Sequence, residues 1–257
     1  MSLFILQSHL TKSWLPLYIS FFLFLFLLSF LKFVTYKSML FMLVVLMMLV
    51  LNMFIWFKEL NLDSFVKGMI TKLMAWSFKY GMVMFIFSEL MFFITFFWSY
   101  THFMLLVMGE VGLMWPPMGI NKVDFMTLAL LNSVLLLSSA YFLTISHLML
   151  VTLNKMLSKF FMIITIFLGM VFLGYQMMEY MMLEFLWSDS VYGSIFYMTT
   201  SFHAFHVMVG LFMLSSVLTL MTKMNMMIFE FSAWYWHFVD VIWLMLYIFY
   251  YWFPWMS

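Results

Sequence analysis

The sequence predicts an all-α integral membrane protein that crosses the bilayer seven times. Three observations carry this. Of 257 residues, 67% are hydrophobic and only 8% are charged, whereas a water-soluble domain of this length carries charge on about a quarter of its chain. The apolar residues form long unbroken runs, not the ten-residue alternations of a membrane barrel. The few charges collect mainly between those runs.

A helix needs about 20 mostly apolar residues to cross the hydrocarbon core. Seven stretches qualify: 15–31, 39–57, 80–107, 125–153, 160–182, 191–221 and 228–252. Tyr36, Lys37 and Ser38 separate the first pair tightly. Residues 58–79 are a charged connecting segment, read as a short helix plus a loop. The chain therefore divides into 1–57, 58–79 and 80–257, with two, no and five spans. Gly109, Gly112, Pro116, Pro117 and Gly119 prevent a continued helix after the third span. Asn154 with Lys155, Trp187 to Asp189, and Lys223 with Asn225 mark the later turns.

Orientation follows from the lysines, because basic loops stay on the side of synthesis. With seven spans, one side holds Lys12, Lys58, Lys67, Lys72, Lys79, Lys155, Lys159 and Lys223. The other holds Lys32, Lys37 and Lys122. Eight against three places the N-terminus on the protein-synthesising side and the C-terminus across the membrane. An even number of spans would erase the asymmetry.

The absence of cysteine excludes disulfides, thiolate metal sites, iron–sulfur ligation and a cysteine nucleophile. A net charge of +1 suggests no nucleic-acid partner. There is no arginine, while Met reaches 33 and Phe 35, the bias expected of an AT-rich organelle genome. No basic leader or cleavage site precedes the first apolar run. That predicts insertion from the compartment of synthesis.

Acids inside the spans cost at least about 3 kcal/mol on insertion scales and so need a reason. Glu89, Glu179 and Asp240 are the clearest cases. Glu89 shares a helical face with Phe93 and Phe96. It reads either as an acid bonded to another helix or as a proton- or lipid-linked site, at even weight. Thr95, Trp98, Ser99 and His102 follow at helical spacing and read as a helix–helix contact. His203 and His206, three apart, could contribute to a metal or haem site only with further ligands. Hydrogen bonding to neighbouring helices is the better reading. Glu230, His237 and Asp240 form one polar stripe on the last span, read as buried polar packing. No phosphate-binding loop, dinucleotide fingerprint, zinc-protease motif or nucleophile elbow occurs. No residue of this chain is therefore assigned a catalytic or metal-binding role.

Taken in order from Trp56 to Trp252, the motifs resemble those of cytochrome c oxidase subunit III. Lys79 to Glu89 is similar to the family's RYGMxLFIxSE segment, and Trp115 to Ile120 to its WPPxGI loop. Phe97, Trp98, His102, Leu131, Asn132, His147, Gln176, Glu179 and Tyr180 continue the register. Ser188, Asp189, Tyr192, Gly193, Ser194, Phe202, His203, His206, Val207 and Gly210 extend it. The run from Ala233 to Asp240 is close to the family's most characteristic signature.

The resemblance implies a non-catalytic accessory subunit of the mitochondrial respiratory oxidase, complex IV. Its seven helices would stand in a two-plus-five arrangement around a cleft that holds phospholipids and faces the catalytic subunit. Haem and copper would lie in partner subunits I and II, with none in this chain. The subunit would sustain proton uptake in the inner membrane, N-terminus towards the matrix and C-terminus towards the intermembrane space. Glu89 matches the family's buried carboxylate. Trp56, Asp63, Ser64 and Lys223 match positions of the lipid-headgroup region.

Departures fall in the same region. Two family histidines are replaced by Met69 and Ile70 between Gly68 and Thr71, and arginine positions hold Lys58, Lys79 and Leu220. Lysine is a point charge where arginine grips phosphate with a fork, so altered headgroup contacts are expected. A rival reading is a stand-alone transporter or proton channel using Glu89, Glu179 and Asp240. Transporters show broken helices and repeated halves, and neither is visible here. A third reading, a cofactor-binding subunit, would rest on His203 and His206.

Overall fold

The computed structural model describes residues 14–37, 39–66, 72–105, 115–117, 119–221 and 226–256, and among these it is helical with no strand. Among the described residues, seven helices are long and apolar enough to cross a membrane, as the sequence predicts. The chain divides into two compact units, Met1–Met69 and Ile70–Ser257.

The first unit holds α1 (Leu15–Tyr36) and α2 (Met39–Val66), packed as a helical hairpin. Pro16 sits in the first turn of α1, where its missing N–H has no helical partner to lose. Lys37 ends the helix with φ +56°, its N–H donating to the Phe33 carbonyl at 2.8 Å. Ile19, Ser29 and Val45 are the buried residues described in this unit. The apolar window of α2 closes at Trp56, yet the helix runs on to Val66. Helical hydrogen bonding thus continues through Lys58 and Glu59, where apolarity stops.

The second unit contains α3 (Lys72–Leu105), α4 (Leu128–Val151), α5 (Lys155–Met182), α6 (Val191–Leu220) and α7 (Met226–Leu246). A π-helical turn (Tyr247–Trp252) and the short α8 (Phe253–Met256) complete it. α7 packs against α3, α4 and α6, and α5 against α4 and α6. α7 is therefore the hub, with Trp236, Val239, Ile242, Trp243 and Leu246 fully buried or nearly so.

Lipid tails are as apolar as leucine, so packing and hydrogen bonds must hold these helices together. The Trp236 indole N–H donates to Ser139 Oγ at 3.0 Å and that of Trp243 to Ser133 Oγ at 3.2 Å, stapling α7 to α4. Ser146 and Ser158 exchange bonds, each hydroxyl donating to the other's carbonyl at 2.9 and 2.7 Å, and clamp α4 to α5. Gly169 and Gly210 make room for Trp236. A Cβ at either would lie 2.7 or 2.8 Å from its ring.

Several element bounds differ from the apolar runs, for local reasons. The fourth helix begins at Leu128 because Asp124 Oδ1 accepts the Met126 N–H at 3.0 Å, an Asx turn that holds 125–127 outside the helix. The sixth begins at Val191, where Ser190 Oγ caps the Gly193 N–H at 3.0 Å. The last span leaves α-helical geometry at Tyr247, which hydrophobicity does not signal.

Candidate functional site

Glu89 lies midway along α3 and faces α6. Its Oε2 is 3.0 Å from Nε2 of His206. The other ring nitrogen, Nδ1, lies 2.8 Å from the Phe202 carbonyl. A carbonyl only accepts, so Nδ1 carries a hydrogen. The contact on the far side then needs one proton between carboxyl and imidazole, whichever partner owns it.

Aromatic rings enclose the pair. Phe93 and Phe202 pack against the His206 ring with centroids at 5.2 and 4.6 Å, and Tyr235 stacks on it at 6.3 Å. Phe238 completes the wall from α7. The imidazole is buried, whereas the Glu89 side chain keeps 20% of its surface open. The site is thus a carboxyl–imidazole couple, walled by phenyl rings and open on one edge. Of the two readings of Glu89, the bond to another helix is present. It leaves the proton-linked reading intact.

The other polar residues of the spans separate from this couple. His203 does not form the hydrogen bond to a neighbouring helix that its position suggested. Its ring lies against Trp243 at 5.3 Å and Phe172 at 5.9 Å, and neither nitrogen has a partner. The face it shares with His206 meets an acid only one turn further along. Among the described residues no group of three His, Cys, Asp or Glu is placed to hold a metal ion.

The stripe on the last span also divides. Asp240 is buried, with His237 Nδ1 3.7 Å from its carboxylate. Glu230 instead pairs across to Lys79 on α3 at 3.3 Å. The stripe of Thr95, Trp98, Ser99 and His102, expected as a helix–helix contact, turns away from the other described helices of the second unit. Trp98 is 73% exposed and the Thr95 and Ser99 hydroxyls bond back to their own helix. Helical spacing sets a face, and only packing decides what covers it.

Trp56 is half-buried on α2. Asp63 and Ser64 lie in the same helix, but their side chains fall outside the described residues, as do Lys223, Met69 and Ile70. The described part of the proline-rich loop is held at two points. Trp115 donates to the Tyr100 hydroxyl at 3.1 Å, and Trp255 donates to the Val123 carbonyl at 2.7 Å. The Asn121 side chain bonds that of Glu184, in the turn that follows α5.

Sequence reasoning missed one cluster. Asn132 on α4 bonds Gln176 on α5 at 3.4 Å, beside Glu179 and Tyr251. The signal was present as three polar side chains in apolar runs. Their convergence was not, because Tyr251 reaches them only through the π turn.

The family model for cytochrome c oxidase subunit III matches residues 7–255. The chain belongs to the cytochrome c oxidase subunit III family. Cytochrome c oxidase subunit 3 of Triticum aestivum is 40% identical over 205 residues, covering 78% of this chain and 77% of the relative. The subunit 3 of Rhipicephalus sanguineus is 36% identical over 230 residues, 88% of this chain and 90% of the relative. That of Arabidopsis thaliana is 39% identical over 205 residues, with 78% and 77% covered. The subunit III match takes in all seven spans, both units and the Glu89–His206 couple. The rival transporter or channel reading finds no support. Glu89, Glu179 and Asp240 have separate neighbours.

Proposed function

We propose that the chain is a non-catalytic accessory subunit of the mitochondrial cytochrome c oxidase, complex IV, supporting the stability and proton uptake of the oxygen-reducing pump. The observation that carries this is the subunit III family match over 7–255, laid across seven membrane-spanning helices. In this reading haem and copper reside in partner subunits and none in this chain. Subunit I is the main partner, with subunit II and accessory subunits beside it. The chain sits in the inner membrane, N-terminus towards the matrix, as the lysine asymmetry supports.

Phospholipid binding is part of this proposal. Trp56, Asp63, Ser64 and Lys223 serve the headgroups. Glu89 and His206 act as the chain's own proton-holding pair: the couple retains one proton behind aromatic walls and exchanges it through the open edge of Glu89. His203, Glu230, His237 and Asp240 serve packing.

Purification in mild detergent, followed by identification of co-purifying chains, tests the assignment. Recovery with a haem-bearing, copper-binding partner is expected. Recovery as a lone homo-oligomer overturns it.

A further inference from the structure

We propose that Asn132, Gln176, Glu179 and Tyr251 build an enclosed site for ordered water inside the second unit. All four are buried, with exposures of 0, 2, 3 and 0%. They come from α4, from two positions three apart on α5, and from the π turn after α7. The Asn132 amide donates to Gln176 Oε1 at 3.4 Å, and Gln176 and Tyr251 both face the Glu179 carboxyl. Yet Asn132 Oδ1, Gln176 Nε2, both carboxyl oxygens and the Tyr251 hydroxyl lack a well-formed bond to any protein group.

Five neighbouring buried atoms without a well-formed bond run against the rule that buried polar groups are hydrogen-bonded. The rule is stricter in a low-dielectric interior, where an unpaired group is more expensive. Their chemistry matches one molecule. Water donates twice and accepts twice; here the Asn132 oxygen and a Glu179 oxygen accept, while the Gln176 amide and the Tyr251 hydroxyl can donate. Turning both amides over still leaves one donor and one acceptor. A buried water needs two to four polar partners, and these four side chains offer them.

Local backbone geometry points the same way. A π turn is uncommon and occurs frequently at functional sites. This one carries Tyr250 and Tyr251, both fully buried. His203 offers the contrast: both of its nitrogens lack a bond, and its ring lies against those of Trp243 and Phe172.

A density map of the purified assembly containing this chain, fine enough to show waters, decides the matter. Expected is at least one water peak within hydrogen-bond distance of two or more of these side chains, from different helices. Direct bonds among the four with no peak overturn the proposal, as does a peak with the short, many-oxygen coordination of a cation. In an assembly carrying Asn132→Leu the peak is expected to vanish while α4 and α5 keep their places. An unchanged peak overturns it too. If that variant does not assemble, Tyr251→Phe is mapped instead, with loss or displacement of the peak expected and persistence overturning. The readout is positional, so it stands apart from whether the assembly is an oxidase.

Discussion

At Gly210 a single added methyl group would lie 2.8 Å from the Trp236 ring, while at Gly174 nothing lies within 4 Å. Both residues sit in helix interiors, where alanine is favoured over glycine by about 1 kcal/mol. At Gly210 overpacking of about 1–3 kcal/mol opposes that gain. The two substitutions should therefore differ in sign. Gly174→Ala is expected to leave the thermal midpoint of the assembly unchanged or raised, and Gly210→Ala to lower it. Adding Trp236→Phe should recover part of the loss; equal midpoints for both glycine variants would contradict the packing argument. Glu89 allows a comparable pair. Gln can still bond His206 Nε2 but holds no exchangeable acid proton, so Glu89→Gln should assemble normally and change proton uptake or durability during turnover. Leu leaves a buried nitrogen unpaired, at about 1–3 kcal/mol, so Glu89→Leu should also reduce assembly yield.

Elements associate here through a few polar bonds set in apolar surfaces. The Ser146–Ser158 exchange is the shortest route between α4 and α5, with both hydroxyls fully buried. Measured interhelical bonds in membranes average about 0.6 kcal/mol and reach about 1.7. Ser146→Ala and Ser158→Ala are each expected to lower unfolding stability in detergent by that order. The double variant should lose little more than either alone, because one exchange is broken in both. Strict additivity would mean that the serines act independently. Seven helices were legible in the sequence because apolar length is a local property. Their ends were less so: Asp124 and Ser190 set two starts by side-chain bonds that hydropathy ignores.

For the whole molecule, direction in the membrane is the property that charge decides. The absence of cysteine makes it testable, since one introduced thiol is then unique. Lys155→Cys is expected to react with an impermeant reagent only from the matrix side, and Ser188→Cys only from the other. The opposite pattern would refute the lysine argument. At this scale the subunit III family match supplies the functional context, and the Glu89–His206 contact is where the proposed proton role is tested. Glu89 was visible in the sequence as an acid in an apolar run. Its partner was not, because His206 lies 117 positions away and periodicity assigns faces without saying what they face.

The sequence by itself determined a seven-span helical membrane protein, a lysine asymmetry and the family to which its motifs belong. Those follow from run length, charge placement and residues in register, all local along the chain. Tertiary structure decided which polar residues meet. It joined Glu89 to His206, turned Glu230 away from His237 towards Lys79, left His203 among rings, and brought Tyr251 to Glu179 through a π turn. Such pairings depend on how helices rotate against one another to bury Trp236 and Trp243. That rotation is settled by side-chain volume across helices, which spacing within one helix does not encode.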